Sequence, residues 1–158
     1  MINLKKIITL ISFLLLLGCG FQPIYSQKNS NKNYNFSINQ IEFSGTNKIN
    51  RHLKNNFKNH LNNENASKKF DLKINSQIIK SVSSKNKQGN TEVFYMEIII
   101  LVKIFENNIK KDELIFKESF EYNNQINKFN LNEYEKDIQK NLTSEISKDI
   151  ILHLYSLQ

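Results

Sequence analysis

Cysteine is almost missing: Cys19 is the one thiol in 158 residues. A lone cysteine excludes any disulfide within the chain, so the fold must hold by packing alone. Glycine is scarce too, at four residues, and no Gly-rich phosphate loop is present. Arginine occurs once, as Arg51, beside 21 lysines. Three histidines occur, and none sits in a metal-ligand spacing. His52 and His60 are too far apart on one helix to share an ion, with only Asn56 between them. Both read as solvated neighbours of the lysines. His153 reads as a boundary residue beside an apolar stripe. No paired carboxylates share a context, and Glu97 reads as one arm of a structural salt bridge, with Lys103 or a neighbouring strand. Without a positioned acid, base, nucleophile or metal set, neither catalysis nor a cofactor is expected.

Long apolar runs are also lacking. The longest, Ile7 to Leu17, has 11 residues interrupted by Thr9 and Ser12. A bilayer crossing needs roughly 20. Lys5 and Lys6 precede the run, which gives it the charge and length of a signal-peptide core. Leu16-Leu17-Gly18-Cys19 follows and resembles the bacterial lipobox. That resemblance implies cleavage between Gly18 and Cys19, a diacylglycerol thioether on Cys19, and acylation of the new amino group. A single acyl chain binds membranes marginally, whereas several hold stably. The chain therefore divides into a cleaved signal (1–18), a lipidated tether (19–35) and one domain (36–158). Residues 26–35, SQKNSNKNYN, lack apolar periodicity and fit a flexible tether.

What is abundant is lysine and asparagine. The net charge is +7. Removing Lys5 and Lys6 with the signal leaves +5 (7 − 2) on 140 residues (158 − 18). A basic surface meets nucleic acid, anionic lipid or lipid-linked phosphate sugars. For an exported lipoprotein, nucleic acid is not an expected partner and anionic lipid is. The competing explanation is a solvated lysine coat set by the codon usage of an AT-rich genome.

The apolar patterning predicts a β-α-β-β-β-α order. Phe36, Ile38, Ile41 and Phe43 switch parity, which predicts a strand with a bulge near Asn39-Gln40. Gly45 allows a turn. Thr46 or Asn47 caps a helix reaching about Asn62, with Ile49, Leu53, Phe57 and Leu61 as its apolar stripe. Phe70, Leu72, Ile74 and Ile78 alternate with polar residues as a half-buried strand, and residues 83–90 form a hairpin connection. From Val93 to Phe105 every even position is apolar and the odd positions partly so. That predicts a central strand with cover on both faces. A turn is expected at Asn107-Asn108 and Lys110-Lys111-Asp112. Leu114, Phe116, Phe120 and Tyr122 mark a fourth strand. Asn130 or Asn132 caps a last helix carrying Leu131, Tyr134, Ile138, Leu142, Ile146, Ile150 and Leu154. The expected fold is α+β: two helices packed on one face of a four-stranded, mostly antiparallel sheet.

The run Cys19-Gly20-Phe21-Gln22-Pro23-Ile24-Tyr25 resembles the start of the LPS-assembly lipoprotein LptE family, in which Cys-Gly-Phe-x-Pro-Leu-Tyr follows the lipobox. Ile24 replaces the common Leu, and Ser26 stands where Gly often follows. The element order over 36–157 is similar to that family's fold. The resemblance implies a lipid-anchored, periplasm-facing subunit at the outer membrane. Such a subunit plugs and supports the β-barrel protein LptD and binds lipopolysaccharide. Gly20 after the cysteine, in place of Asp, resembles the outer-membrane sorting pattern of enteric bacteria. No local motif transfers the family's ligand contacts. Lys85, Lys87, Lys110 and Lys111 are candidate contacts for lipid-A phosphates, on charge. Tyr95, Ile99 and Leu101, on the odd face of the central strand, are candidate barrel contacts, or are covered by the tether or a loop. The alternative is another envelope lipoprotein, such as an auxiliary subunit of a lipid ABC transporter.

Overall fold

The computed structural model describes residues 35–158. The signal segment, Gly18, Cys19 and all of the tether but Asn35 lie outside the described residues. Six elements form in the order the patterning predicts. They are β1 (Phe36–Gly45), α1 (Asn47–Phe57), β2 (Lys68–Lys85), β3 (Thr91–Glu106), β4 (Ile109–Asn123) and α2 (Lys128–Ser156). The sheet order is β1-β2-β3-β4. β1 pairs parallel to β2, and the other two pairings are antiparallel. β1 needs the α1 crossover because parallel neighbours cannot be joined by a tight turn.

Both helices lie on one face. Ile49, Leu53 and Phe57 of α1 are fully buried, as are Ile146, Ile150 and Leu154 of α2. Against them pack Met96, Ile98, Ile100, Val102 and Ile104, the even positions of β3, with Phe70, Leu72 and Ile74 of β2. α1 covers β1 and β2, while α2 covers β3 and β4. The helices meet where small residues allow approach. Asn56 Nδ2 donates to Ser147 Oγ at 2.9 Å, and buried Thr143 and Ser147 return their hydroxyls to the carbonyls one turn back.

The parity switch in β1 is a bulge: Ile38 pairs with Phe70 and Gln40 with Asp71, leaving Asn39 extra. Asn39 Nδ2 donates to Asp71 Oδ1 at 2.9 Å. Gly45 follows at φ +87°, and a Cβ there would stand 2.0 Å from the Ser76 carbonyl oxygen. Only glycine fits that approach. Thr46 is the N-cap of α1 by position, but its side chain makes no capping bond. The helix entry is held by Asn50, which accepts from Ser76 Oγ at 2.7 Å and donates to the Ser44 carbonyl at 3.1 Å.

Four expectations need correction. α1 stops at Phe57 and passes into a single 3-10 turn, Lys58–His60. Leu61 is extended and bridges Ile38, and Asn62, at φ +54°, donates its N–H to the Ile38 carbonyl. The fourth stripe residue thus joins the sheet side of the core. The β3–β4 turn is Asn107-Asn108 alone, both in the left-handed region that a two-residue hairpin requires. Lys110 and Asp112 are already paired with β3, and Lys111 is bulged between them. α2 begins earlier than expected: Asn127 Oδ1 accepts from the N–H groups of Phe129 at 2.9 Å and Asn130 at 3.2 Å. Finally, among the described residues, the helices cover one face of β3 and no element lies over its odd face.

Candidate functional site: an open sheet face and a cationic tip

The face opposite the helices carries Tyr95, Ile99, Leu101 and Phe105 of β3, all half-buried. Cross-strand pairing sets Leu101 between Asn75 and Ile115, and Ile99 between Gln77 and Lys117. Ile79 sits opposite Glu97. Ile115 is 61% exposed and Ile79 36%. The candidate barrel contacts therefore share one face with two further aliphatic side chains. Charges border it. Lys73 pairs with Glu42 at 2.9 Å and stands 5.8 Å over the Phe105 ring, and Lys103 reaches Glu113 at 3.7 Å. Glu97 has no cation among the described residues. Six positions along one strand face put it roughly 20 Å from Lys103, so the expected salt bridge does not form.

The lysine candidates separate into two places. Lys85 closes β2 opposite Thr91, and Lys87 lies in the turn beyond. Asn86 shapes that turn: its Oδ1 accepts from the N–H groups of Gln88 and Asn90, each at 3.0 Å. Neither lysine has an ion pair among the described residues. Lys110 and Lys111 stand at the far end of β3, whose 16 residues span roughly 50 Å. There both are neutralised: Lys110 by Glu113, and Lys111 by Glu106 at 3.0 Å. The four do not form one site.

The fold adds a neighbour that periodicity missed. Asn124 ties the start of α2 to the tip, donating its N–H to the Glu92 carbonyl at 2.8 Å and its Nδ2 to the Thr91 carbonyl at 2.9 Å. Lys128 Nζ then donates to Asn124 Oδ1 at 3.0 Å. Ile126 is fully exposed and Phe129 is 71% exposed. Val82 and Phe120 are also exposed near this end. The tip so combines Lys85, Lys87 and Lys128 with free apolar side chains, the chemistry of an anionic amphiphile's partner. The one sequence signal was Ile126 and Phe129 standing out in an otherwise polar linker.

The remaining titratable groups do structural work. His60 is half-buried and stacks on Phe36 with centroids 5.5 Å apart, so it is not a solvated neighbour of lysines; burial lowers its pKa. His153 Nε2 lies 2.8 Å from Asp112 Oδ2, joining α2 to β4. Burial raises the Tyr122 pKa, and its hydroxyl donates to Glu135 at 2.9 Å. Lys80 meets the same carboxylate at 2.6 Å and covers the Phe94 ring at 4.4 Å. Among the described residues no three His, Cys, Asp or Glu converge on a metal position, and no helix is long and apolar enough to cross a membrane.

No protein-family model matches the sequence, and no curated protein matches it either. Solved structures do. The rare lipoprotein B of Shewanella oneidensis superposes with a TM-score of 0.59 at 12% identity, over 75% of this chain and 96% of that one. A minor lipoprotein of Acinetobacter baumannii gives 0.53 at 13%, over 74% and 90%. Lipoprotein B of Nitrosomonas europaea gives 0.52 at 10%, over 77% and 85%. At these identities the likeness is one of fold: residues 35–158 adopt the α+β architecture found in these bacterial lipoproteins.

Proposed function

We propose that this chain is a lipid-anchored envelope protein that acts by docking, as a subunit of lipopolysaccharide assembly at the outer membrane. One conjunction carries the reading. The lipobox-like run ending in Cys19-Gly20-Phe21-Gln22-Pro23-Ile24-Tyr25 stands ahead of a domain whose fold recurs in bacterial lipoproteins. In this reading Cys19 carries the acyl anchor. The open sheet face, with Tyr95, Ile99 and Leu101, seats against a β-barrel partner of the LptD kind. The tip at Lys85 and Lys87 meets lipid-A phosphates while Ile126 and Phe129 meet acyl chains. No step of this role needs catalysis or a cofactor.

Two measurements test it. Capture through a tag at Gln158 is expected to bring down an outer-membrane barrel protein. Recovery of an inner-membrane ATPase complex would instead support an auxiliary transporter subunit. Reversing Lys85 and Lys87 to Glu is expected to weaken lipopolysaccharide binding by tenfold or more, on the order of 1 kcal/mol per charge contact. Undiminished binding would remove the tip from the proposal.

A further inference from the structure

The outward face of α1 gathers cations on a stretch that carries no acid. Helix and 3-10 turn together carry Lys48, Arg51, Lys54 and Lys58 and no carboxylate. From Phe43 to Asn63 the sequence contains no acid. Elsewhere Lys68, Lys69, Lys85, Lys87, Lys117, Lys128 and Lys140 also lack an ion pair among the described residues, but Lys73, Lys80, Lys103, Lys110, Lys111, Lys136 and Lys148 all lie within 4 Å of a carboxylate. None of the four α1 cations does, among the described residues. Codon usage explains many lysines but not their segregation from acids on one helix.

The cations have one face to occupy, because Ile49, Leu53 and Phe57 commit the other to the core. Lys140 of α2 joins them from the neighbouring helix. His52 registers the crowding. Its pKa is lowered by burial, then by Lys48, Lys140 and Arg51, with no carboxylate opposing. Lys48 is lowered by burial and by Lys136. Glu133 and Glu135 oppose this, but both are engaged, Glu133 by Lys136 and Glu135 by Lys80 and Tyr122.

We propose that the outer face of α1, with Lys140 beside it, docks on the anionic headgroup layer of a phospholipid bilayer. Lysines are point charges on flexible stems and lack the planar fork that grips a single phosphate. Spread along a helix of 11 residues, the 3-10 turn after it and the neighbouring turn of α2, they form a diffuse array that complements a diffuse anionic surface. The helix cannot insert, since its apolar side is inside the domain, so contact stays at headgroup depth and is weakened by salt. This goes beyond the function proposed above: it requires neither lipopolysaccharide nor a barrel and uses none of the tip residues.

The test is acetylation footprinting of the full-length chain incorporated into phosphatidylcholine vesicles, with or without phosphatidylglycerol, read by mass spectrometry. Lys48, Lys54, Lys58 and Lys140 are expected to be protected several-fold only when phosphatidylglycerol is present. Lys73 and Lys148 serve as unchanged references. Each cation contributes about fivefold to the attraction. A Lys48→Glu, Arg51→Glu, Lys54→Glu variant, its fold checked by circular dichroism, should lose protection at Lys58 and Lys140. Equal modification in both vesicle types overturns the proposal. Protection by inorganic phosphate alone would assign a discrete anion site and overturn it too, as would stronger protection by an RNA oligonucleotide than by phosphatidylglycerol vesicles.

Discussion

Asp112 shows how single residues bind the layers together. It lies on β4, accepts the N–H of Glu113 at 2.7 Å and meets His153 of α2 at 2.8 Å. These contacts hold its carboxyl below the ordinary value of 3.8, the Glu113 N–H first and His153 second. Lys111 does the same for Glu106, and Lys110 for Glu113. All three carboxylates have folded-state pKa values below their unfolded ones. Their contribution is therefore complete above the unfolded values and is lost as pH falls through the folded ones. Stability in urea should decline as pH drops from about 5 toward 2. Asp112→Asn should make that decline shallower. An unchanged slope would mean that the Asp112 contacts contribute nothing to folding. Glu97 and Lys103 do not pair at this same scale, because six residues of extended strand hold them roughly 20 Å apart.

At the scale of elements, the stripes were legible and the ends were not. The 3.6-residue period of α2 marked Leu131, Ile138, Leu142, Ile146, Ile150 and Leu154, all buried in the structure. Tyr134, counted in the same stripe, is 39% exposed and meets Tyr122 edge-on. The cap was misplaced because three asparagines, Asn127, Asn130 and Asn132, carry equivalent capping chemistry. Which one acts depends on where the chain leaves β4, and Asn124 fixes that by its bonds to β3. Asn127→Ala is expected to cost about 1 kcal/mol, while Asn130→Ala and Asn132→Ala cost no more than a few tenths. Thermal unfolding of the three variants discriminates, and equal losses would refute the assignment.

At the scale of the whole molecule, the sheet has two unequal faces. Ile100 is fully buried beneath the helices, whereas its neighbour Leu101 stands on the open side. Ile100→Ala should cost about 2–5 kcal/mol, as a core truncation does. Leu101→Glu should change stability by less than about 1.5 kcal/mol, since the charge reaches water. If the open face docks a barrel, Leu101→Glu and Ile99→Glu should nevertheless abolish capture of that partner. Urea denaturation together with the tag at Gln158 reads both effects. Full capture by the double variant would free the face from that role.

The sequence alone determined the element order, the buried stripes, the bulge in β1 and the glycine turn after it. Each is a local consequence of periodicity or of a missing Cβ. It also placed the lipobox-like run, a linear signal read along an unfolded chain. Tertiary structure alone decided what distant residues share. It separated Lys85 and Lys87 from Lys110 and Lys111 by the length of a strand, brought Lys128 to the tip, and set Lys140 of α2 beside the cations of α1. Those outcomes depend on which strands pair and which helix faces outward, and no window of sequence contains that information.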